Sequence, residues 1–334
     1  MKKLILSVLL VIFVTGCGVG TVKEEPKKEI TWDGVYDSTG KMFSFAKALS
    51  YAVKNSPYSE LSEDIVAASG FAFRMWLAED LCTSETSIWD FGLQKPGIEN
   101  GGINVVAINY FWNEDSINAM RPTALSKIKE SINNGIPVIA WDTGILEWGL
   151  IIGYDDNKEL LTTLAVDNEI YELEYEKLGN RDMPIMNIII LSGINEEKTQ
   201  DKISRGMIQT AIEHLKGNEW GEGNAQGLAV YPALIKMFES EDSELAECEN
   251  MKYALGNYAP LKYYAWKYFE KYDMPDLSLL YKQVFNYWAD SYEILTTDDM
   301  SDAANRQKIA DLLAEAEKCE IEAVAIMEKA ISEN

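Results

Sequence analysis

The pattern of apolar and polar positions is clearest over residues 135–156, which read GIPVIAWDTGILEWGLIIGYDD. Two apolar runs, residues 136–141 and 148–154, flank a polar turn that contains Asp142 and Glu147. Short apolar runs on either side of a turn are typical of two paired strands. The pattern therefore predicts a strand, a turn and a second strand, and the chemistry of the chain is expected at this turn, at the mouth of a sheet.

Further runs predict that these two strands belong to a larger sheet. The other predicted strands cover residues 103–110, 159–165, 169–174 and 186–191. The consecutive strands between residues 136 and 174 are joined by turns too short for parallel crossovers, so the sheet is predicted to be antiparallel. A helix is predicted over residues 121–133, and the glycine-rich residues 90–102 predict a loop.

Helical periodicity appears before the sheet and again throughout the second half. The first helix is predicted over residues 42–54, with Ser44 in its first turn, and Ser62 is predicted to cap a second helix. From residue 202 the predicted helices cover residues 202–216, 225–239, 244–272, 277–295 and 301–332. We therefore predict an α+β protein, with a mixed domain containing an antiparallel sheet over residues 31–195 and an all-α helical domain over residues 201–334.

The first residues of the chain predict where the protein is located. Residues 1–16 have a charged start, an apolar run over residues 4–14 that is too short to span a bilayer comfortably, and small residues directly before Cys17. This arrangement resembles a bacterial lipoprotein signal, which implies that Cys17 is acylated and becomes the first residue of the mature chain. Residues 17–30 then form a tether, and the protein is expected on the outer face of the bacterial cytoplasmic membrane. The alternative is an ordinary signal peptide in which the cysteine is accidental.

Charge and composition limit the classes of partner, metal and cofactor that this protein is expected to bind. The chain has 30 basic and 54 acidic residues, a net charge of -24, which argues against nucleic acid or an anionic membrane surface as a partner and permits cationic ligands. With one histidine and no cysteines spaced as metal ligands, neither a zinc site nor a cofactor is expected. In an exported protein Cys248 and Cys319 are the most plausible disulfide pair, which leaves Cys82 unpaired.

Several single residues are candidates for a site. Arg74 lies in an apolar run, which is unfavourable for a charge unless it is paired, with Glu79 or Asp80 as candidate partners, or faces a cleft; the alternative is an edge-strand arginine that points to solvent. Cys82 has acidic neighbours, which raise the pKa of a thiol and argue against a nucleophile. His214 flanks the apolar stripe of a predicted helix, where an ordinary structural role is expected.

An acidic set surrounds the central turns. It consists of Asp142, Asp155, Asp156 and Asp167. These carboxylates could hold calcium, but their spacing matches no EF-hand loop. Hydrogen bonds to the backbone of their own turns are the more plausible role.

Three segments together carry a resemblance to a known family. SFAKAL, GIPVIAWD and EWGLIIGYDD resemble the papain-like cysteine peptidase superfamily, in particular bacteriocin-processing peptidases and the amino-terminal domain of the butirosin biosynthesis acyltransferase. GFAFR and WGEGNAQGLAVY resemble bacterial proteins that join such a domain to a helical carboxy-terminal region. The resemblance implies a papain-like fold with a nucleophilic cysteine at the start of the first helix and a histidine before a strand. This chain has Ser44 and Glu147 at those positions.

The functional hypotheses depend on the serine and the glutamate that stand where the resemblance implies a cysteine and a histidine. A carboxylate is a poor base for a serine hydroxyl unless burial raises its pKa strongly, so the domain is expected to be catalytically degenerate. The first hypothesis is a binding cleft, lined by Ser44, Arg74, Asp142 and Glu147, for a peptide or a small amino compound. The second is an acyl- or aminoacyl-transferring or hydrolysing enzyme that uses Ser44 with Glu147. The third is a structural role at the cell surface through the acidic helical half.

Overall fold

An antiparallel sheet and a set of long helices form the body of the protein. The computed structural model describes residues 32–83, 91–219, 224–240 and 248–333. For these residues it confirms the predicted α+β class. The predicted export signal, Cys17 and the tether lie outside the described residues. Within the described part, no helix has the length and apolar character needed to cross a membrane.

The large sheet contains six strands, each paired with its neighbours in antiparallel fashion. The strands in the part of the chain that the structure describes are β1 (Trp76–Leu77), β2 (Ile103–Phe111), β3 (Val138–Trp141), β4 (Trp148–Asp155), β5 (Leu160–Leu164), β6 (Ile170–Glu174), β7 (Ile185–Ile194) and β8 (Ala225–Gln226). The order in the large sheet is β2-β7-β3-β4-β5-β6, while β1 and β8 pair separately. The antiparallel pairing predicted from the short connections is therefore confirmed.

Helices occupy both halves and dominate the second. Among the described residues they are α1 (Ser44–Lys54), α2 (Ile65–Ala68), α3 (Gln94–Asn100), α4 (Glu114–Asn133), α5 (Gln200–Leu215), α6 (Val230–Glu239), α7 (Glu249–Lys271), α8 (Pro275–Thr297) and α9 (Ala303–Ser332). The change from sheet to helices falls between β7 and α5, where the sequence places the boundary of its two domains. The described residues on both sides of this boundary belong to one compact unit.

Three local predictions are wrong. Helix α3 lies where a loop is predicted. Gly97 lets this helix pack closely against the end of α2, because a Cβ atom at position 97 would lie 2.8 Å from the backbone oxygen of Ser69. Asp64, not Ser62, occupies the N-cap position of α2, and its side chain makes no capping bond. No disulfide joins Cys248 to Cys319, because Cys248 caps the start of α7 and Cys319 contacts Gln283 of α8.

The two faces of the sheet pack against different helices. One face forms a core with α4, in which Ile128 packs among strand residues such as Val138 and Ile188. The opposite face packs against α1, where the ring of Phe45 meets the edge of Trp148 at a centroid distance of 4.8 Å. This packing brings the start of α1 to the end of the sheet at which β3 turns into β4.

A proline inside α7 fixes the segment that leads into α1. Pro260 has no N–H group, so the carbonyl group of Gly256 lacks its helical donor. The hydroxyl of Thr39 donates to that carbonyl at 2.6 Å, and the N–H of Phe43 donates to the carbonyl of Asn257 at 3.2 Å. The helical half therefore holds the residue directly before Ser44.

A buried ion pair connects the helices of the second half. Lys262 of α7 donates to Glu320 of α9 at 2.7 Å, and both side chains are fully buried. Tyr231 of α6 also donates to Glu320, at 2.9 Å, and accepts from Trp288 of α8 at 2.9 Å. Buried charges cost free energy unless they are paired and hydrogen-bonded, so this network favours one mutual packing of four helices.

Candidate functional site

The turn between β3 and β4 is closed by its own backbone. Trp141 and Trp148 are paired at its two ends, and the N–H of Asp142 donates to the carbonyl of Glu147 at 3.0 Å. Asp142 has a φ of 56°, in the left-handed region that aspartate tolerates better than most side chains. The polar turn thus lies at the mouth of the sheet, as the apolar and polar pattern predicts.

Ser44 and Glu147 face each other across this turn. Ser44 is the first residue of α1, and its hydroxyl donates to Oε2 of Glu147 at 2.6 Å. The N–H of Trp148 donates to the same hydroxyl at 3.4 Å. Ser44 is 3% exposed and Glu147 is half-buried. The two residues singled out in the sequence therefore lie within hydrogen-bond reach.

A tyrosine from the helical half completes the arrangement. The hydroxyl of Tyr253, near the start of α7, donates to Oε1 of Glu147 at 3.0 Å. Tyr253 is 106 residues away from Glu147 in the chain, and no motif or spacing in the sequence singles it out. The site is thus built by both halves of the molecule.

Burial and hydrogen bonding act on Glu147 in opposite directions. Burial raises the pKa of its carboxyl, while the hydrogen bonds from Ser44, Tyr253 and Trp148 lower that pKa, and the net direction is upward. The first turn of α1 has no acidic residue and no side-chain cap. Glu147 therefore places a carboxyl group beside the positive end of a helix, where negative charge is favoured.

Asp142 is in the same turn, but its carboxylate is engaged elsewhere. It accepts hydrogen bonds from Nε of Arg181 at 2.7 Å and from the N–H of Asp182 at 3.2 Å. Burial raises the pKa of Asp142, and the bond to Arg181 opposes that rise. Asp142 therefore anchors the loop before β7 rather than pairing with Ser44.

The other acidic residues of this set have separate partners. Asp155 and Asp167 accept from backbone N–H groups of their own turns, those of Asn157 and Glu169, which is the role that the sequence favours. Asp156 pairs with Lys129. Among the residues that the structure describes, no cluster of acidic, histidine or cysteine side chains is arranged to hold a metal ion.

Arg74 lies in a different cluster. It is 4% exposed and forms two hydrogen bonds with Glu219, from Nε at 2.8 Å and from Nη2 at 2.7 Å. The expected partners Glu79 and Asp80 are therefore wrong, because the chain after α5 brings in a carboxylate from 145 residues away. The alternative of an exposed edge-strand arginine is also wrong.

His214 belongs to the Arg74 cluster and is fully buried. Its Nδ1 lies 3.1 Å from Oε2 of Glu219, and its Nε2 accepts from the N–H of Met75 at 2.7 Å. Burial lowers the pKa of His214. Burial alone would raise the pKa of Glu219, but the bonds from Arg74 and His214 hold it at about 2. His214 therefore lies on the buried face of α5 and holds the residue before β1, a contact within the structural role expected from the sequence.

Comparison with known proteins adds no family assignment. No protein-family model matches the chain, and no curated protein matches it. The resemblance to papain-like peptidases therefore stays a prediction from the sequence motifs.

The buried histidine predicts an acid-sensitive stability. Because the folded pKa of His214 is lowered, the unfolded chain takes up a proton here below about pH 6.5 while the folded chain does not. The free energy of unfolding should therefore fall as the pH drops from 7.5 to 5.5, at up to about 1.4 kcal/mol per pH unit. In the variant His214→Gln, which keeps an acceptor for Met75, thermal unfolding followed by circular dichroism should show a weaker pH dependence. An unchanged pH dependence in this variant would contradict the assignment, since the chain has only this histidine.

Proposed function

We propose that this protein is a lipid-anchored extracytoplasmic binding protein, and that the cleft at Ser44 and Glu147 holds a cationic ligand, either a peptide or a small amino compound. One observation carries the proposal. The carboxylate of Glu147 is held by the hydroxyls of Ser44 and Tyr253, which are neutral donors, and among the described residues no basic side chain pairs with it. An ammonium group would supply the counter-charge that a partly buried carboxylate favours.

The charge of the whole chain supports this ligand class. A net charge of -24 attracts cations and repels anions over several ångströms around the molecule. The extracytoplasmic location rests on the residues before the tether, above all on Cys17 and the small residues that precede it. A tethered protein with the carboxyl group of Glu147 in its cleft is suited to capturing amines outside the cell.

A ligand screen tests the binding role. Thermal unfolding is measured with 1,5-diaminopentane and trialanine, and again with N-acetyl-trialanine amide, which carries no charge. At about one hundred times their dissociation constants the two amines should stabilise the wild type by about 2.7 kcal/mol, and Glu147→Gln should abolish this effect. Glu172→Gln is the matched control, because Glu172 is an exposed carboxylate on the edge strand β6. If both amines stabilise Glu147→Gln as strongly as the wild type, the cleft is not their binding site.

A second function is favoured by one specific observation. Ser44 donates to Glu147 at 2.6 Å and burial raises the pKa of that carboxyl, so the pair has the geometry of a hydroxyl and its general base. Against this role, the hydroxyl is almost fully buried and also accepts from Trp148. The binding role predicts that fluorophosphonate and activated-ester probes leave the wild type unlabelled. Labelling of the wild type, lost in Ser44→Ala and measured by mass spectrometry, would establish the acyl-transfer or hydrolytic alternative.

The anchor is tested separately from the cleft. The full chain expressed in a bacterial host should partition into the detergent phase of a Triton X-114 extraction, because acyl chains on Cys17 add hydrophobic free energy. Cys17→Ser should move the protein into the aqueous phase without changing its thermal unfolding. Failure of mass spectrometry to find acyl chains on Cys17 of the purified wild type would rule out lipidation at this residue.

A further inference from the structure

Strand β2 lies at one end of the strand order and forms an edge of the large sheet. Its pairing with β7 continues to the next residue, where the N–H of Trp112 donates to the carbonyl of Pro184 at 2.8 Å. Along an antiparallel pair, residues that bond to the neighbouring strand alternate with residues whose N–H and C=O groups point away from it. The backbone groups of Ala107, Asn109 and Phe111 therefore point outward from the sheet.

These outward groups are unpaired in the single copy. Among the residues that the structure describes, none bonds to the outward N–H or C=O groups of the three residues. Two residues before them, the carbonyl of Val105 accepts from Nζ of Lys95 at 2.9 Å, which closes that end of the edge. Residues 107–111 are left as an open edge, and a strand edge with unpaired backbone groups can pair with a strand of another chain.

The two edges of the large sheet differ in charge. At the opposite edge, β6 has the sequence IYELE, and its exposed Glu172 and Glu174 oppose pairing with another strand. The sequence of β2 is INVVAINYF, which contains no charged residue. In a chain with a net charge of -24, two copies can therefore meet along β2 without placing like charges opposite each other.

Exposed apolar side chains are placed symmetrically about the centre of the open edge. Val106 is 40% exposed and Trp112 is 69% exposed, and they lie three residues before and three residues after Asn109. An antiparallel pair of β2 strands with Asn109 opposite Asn109 places Trp112 of each copy opposite Val106 of the other. Aromatic and β-branched side chains in such cross-strand positions stabilise a sheet. Oδ1 of Asn109, which has no hydrogen-bond partner among the described residues, would accept from the second amide.

The same register brings opposite charges together at both ends of the open edge. Val105 of one copy lies opposite the residue that precedes Glu114 of the other. Lys95, which bonds to Val105 and to Glu99, is half-exposed in its side chain, and Glu114 and Asp115 are exposed. The ammonium group of one copy therefore approaches two carboxylates of the other. Exposed ion pairs add little affinity, but this arrangement favours the register over others.

We propose that two copies of this protein associate through their β2 strands, which pair about a twofold axis at Asn109 and form one sheet of twelve strands, six from each copy. The outward groups of residues 107, 109 and 111 bond to those of residues 111, 109 and 107 in the other copy. The twofold axis places α4 of both copies on the same face of this sheet. The dimer is closed, because the charged β6 strands become its two outer edges. Neither the ligand of the cleft nor the lipid anchor takes part in this pairing.

The oligomeric state tests the association. Sedimentation equilibrium of the full chain, purified in a density-matched detergent, should show a dimer. Val106→Glu should weaken dimerisation by about tenfold or more, because it places a carboxylate against the indole of the second copy. Ile170→Glu is the matched control, since Ile170 is 41% exposed on the edge strand β6, and it should leave the dimer intact. A monomer at every concentration, or a Val106→Glu dimer as stable as the wild type, would overturn the proposal.

Ala107→Pro tests the backbone groups of the open edge. Proline removes an N–H that points outward and has no partner in the single copy, so the melting temperature should change little. Dimerisation should weaken by about tenfold or more, because the pairing loses two hydrogen bonds and meets two proline rings. A dimer of unchanged stability would mean that another surface joins the copies. If this variant does not fold, Val106→Glu and crosslinking decide the question.

Crosslinking tests the register. A mixture of Val106→Cys and Trp112→Cys chains, treated with a short bismaleimide, should give a crosslinked dimer that contains one chain of each kind. Each variant alone should give only the background of the native cysteines, because six residues of extended strand separate identical positions by about 20 Å. Equal crosslinking in the mixture and in the single variants would contradict the pairing about Asn109. Assemblies larger than a dimer would show that β6 also pairs, and would overturn the closed twofold arrangement.

Discussion

The candidate site depends on the hydrogen bonds by which helix α7 holds the segment that leads into α1. The carbonyl group that Pro260 leaves without a helical donor accepts from Thr39, and the next carbonyl accepts from the residue directly before Ser44. One turn earlier on the same helix, Tyr253 binds Glu147. A single helix therefore sets both the position of the serine and the orientation of the carboxylate, so the helical half is part of the site.

The position of charge distinguishes this site from the peptidases that its motifs resemble. In those enzymes a thiol loses its proton to an imidazole, and the helix start favours the resulting thiolate. Here the atom at the helix start is a hydroxyl oxygen, and it donates to the carboxyl group of Glu147 opposite it. The same backbone dipole would favour negative charge on this carboxyl group, which accepts from the hydroxyls of Ser44 and Tyr253.

Local patterns in the sequence predict much of the fold and the central pair of the site. The apolar and alternating runs give all six strands of the large sheet to within about three residues at each end, and the short turns give their antiparallel pairing. Ser44 and Glu147 follow from motif spacing. Tyr253 and Glu219 do not, because their partners are 106 and 145 residues away and periodicity reports burial without naming the neighbour.

The buried pair Lys262–Glu320 has a mechanical consequence. Sliding any one of α6, α7, α8 or α9 along its neighbours would pull apart groups that have no water to replace the lost partner. The buried network therefore opposes sliding of these four helices along one another, and it does not oppose movement of the four helices together. Because Tyr253 lies on α7, a displacement of these helices would also move the hydroxyl that donates to Glu147.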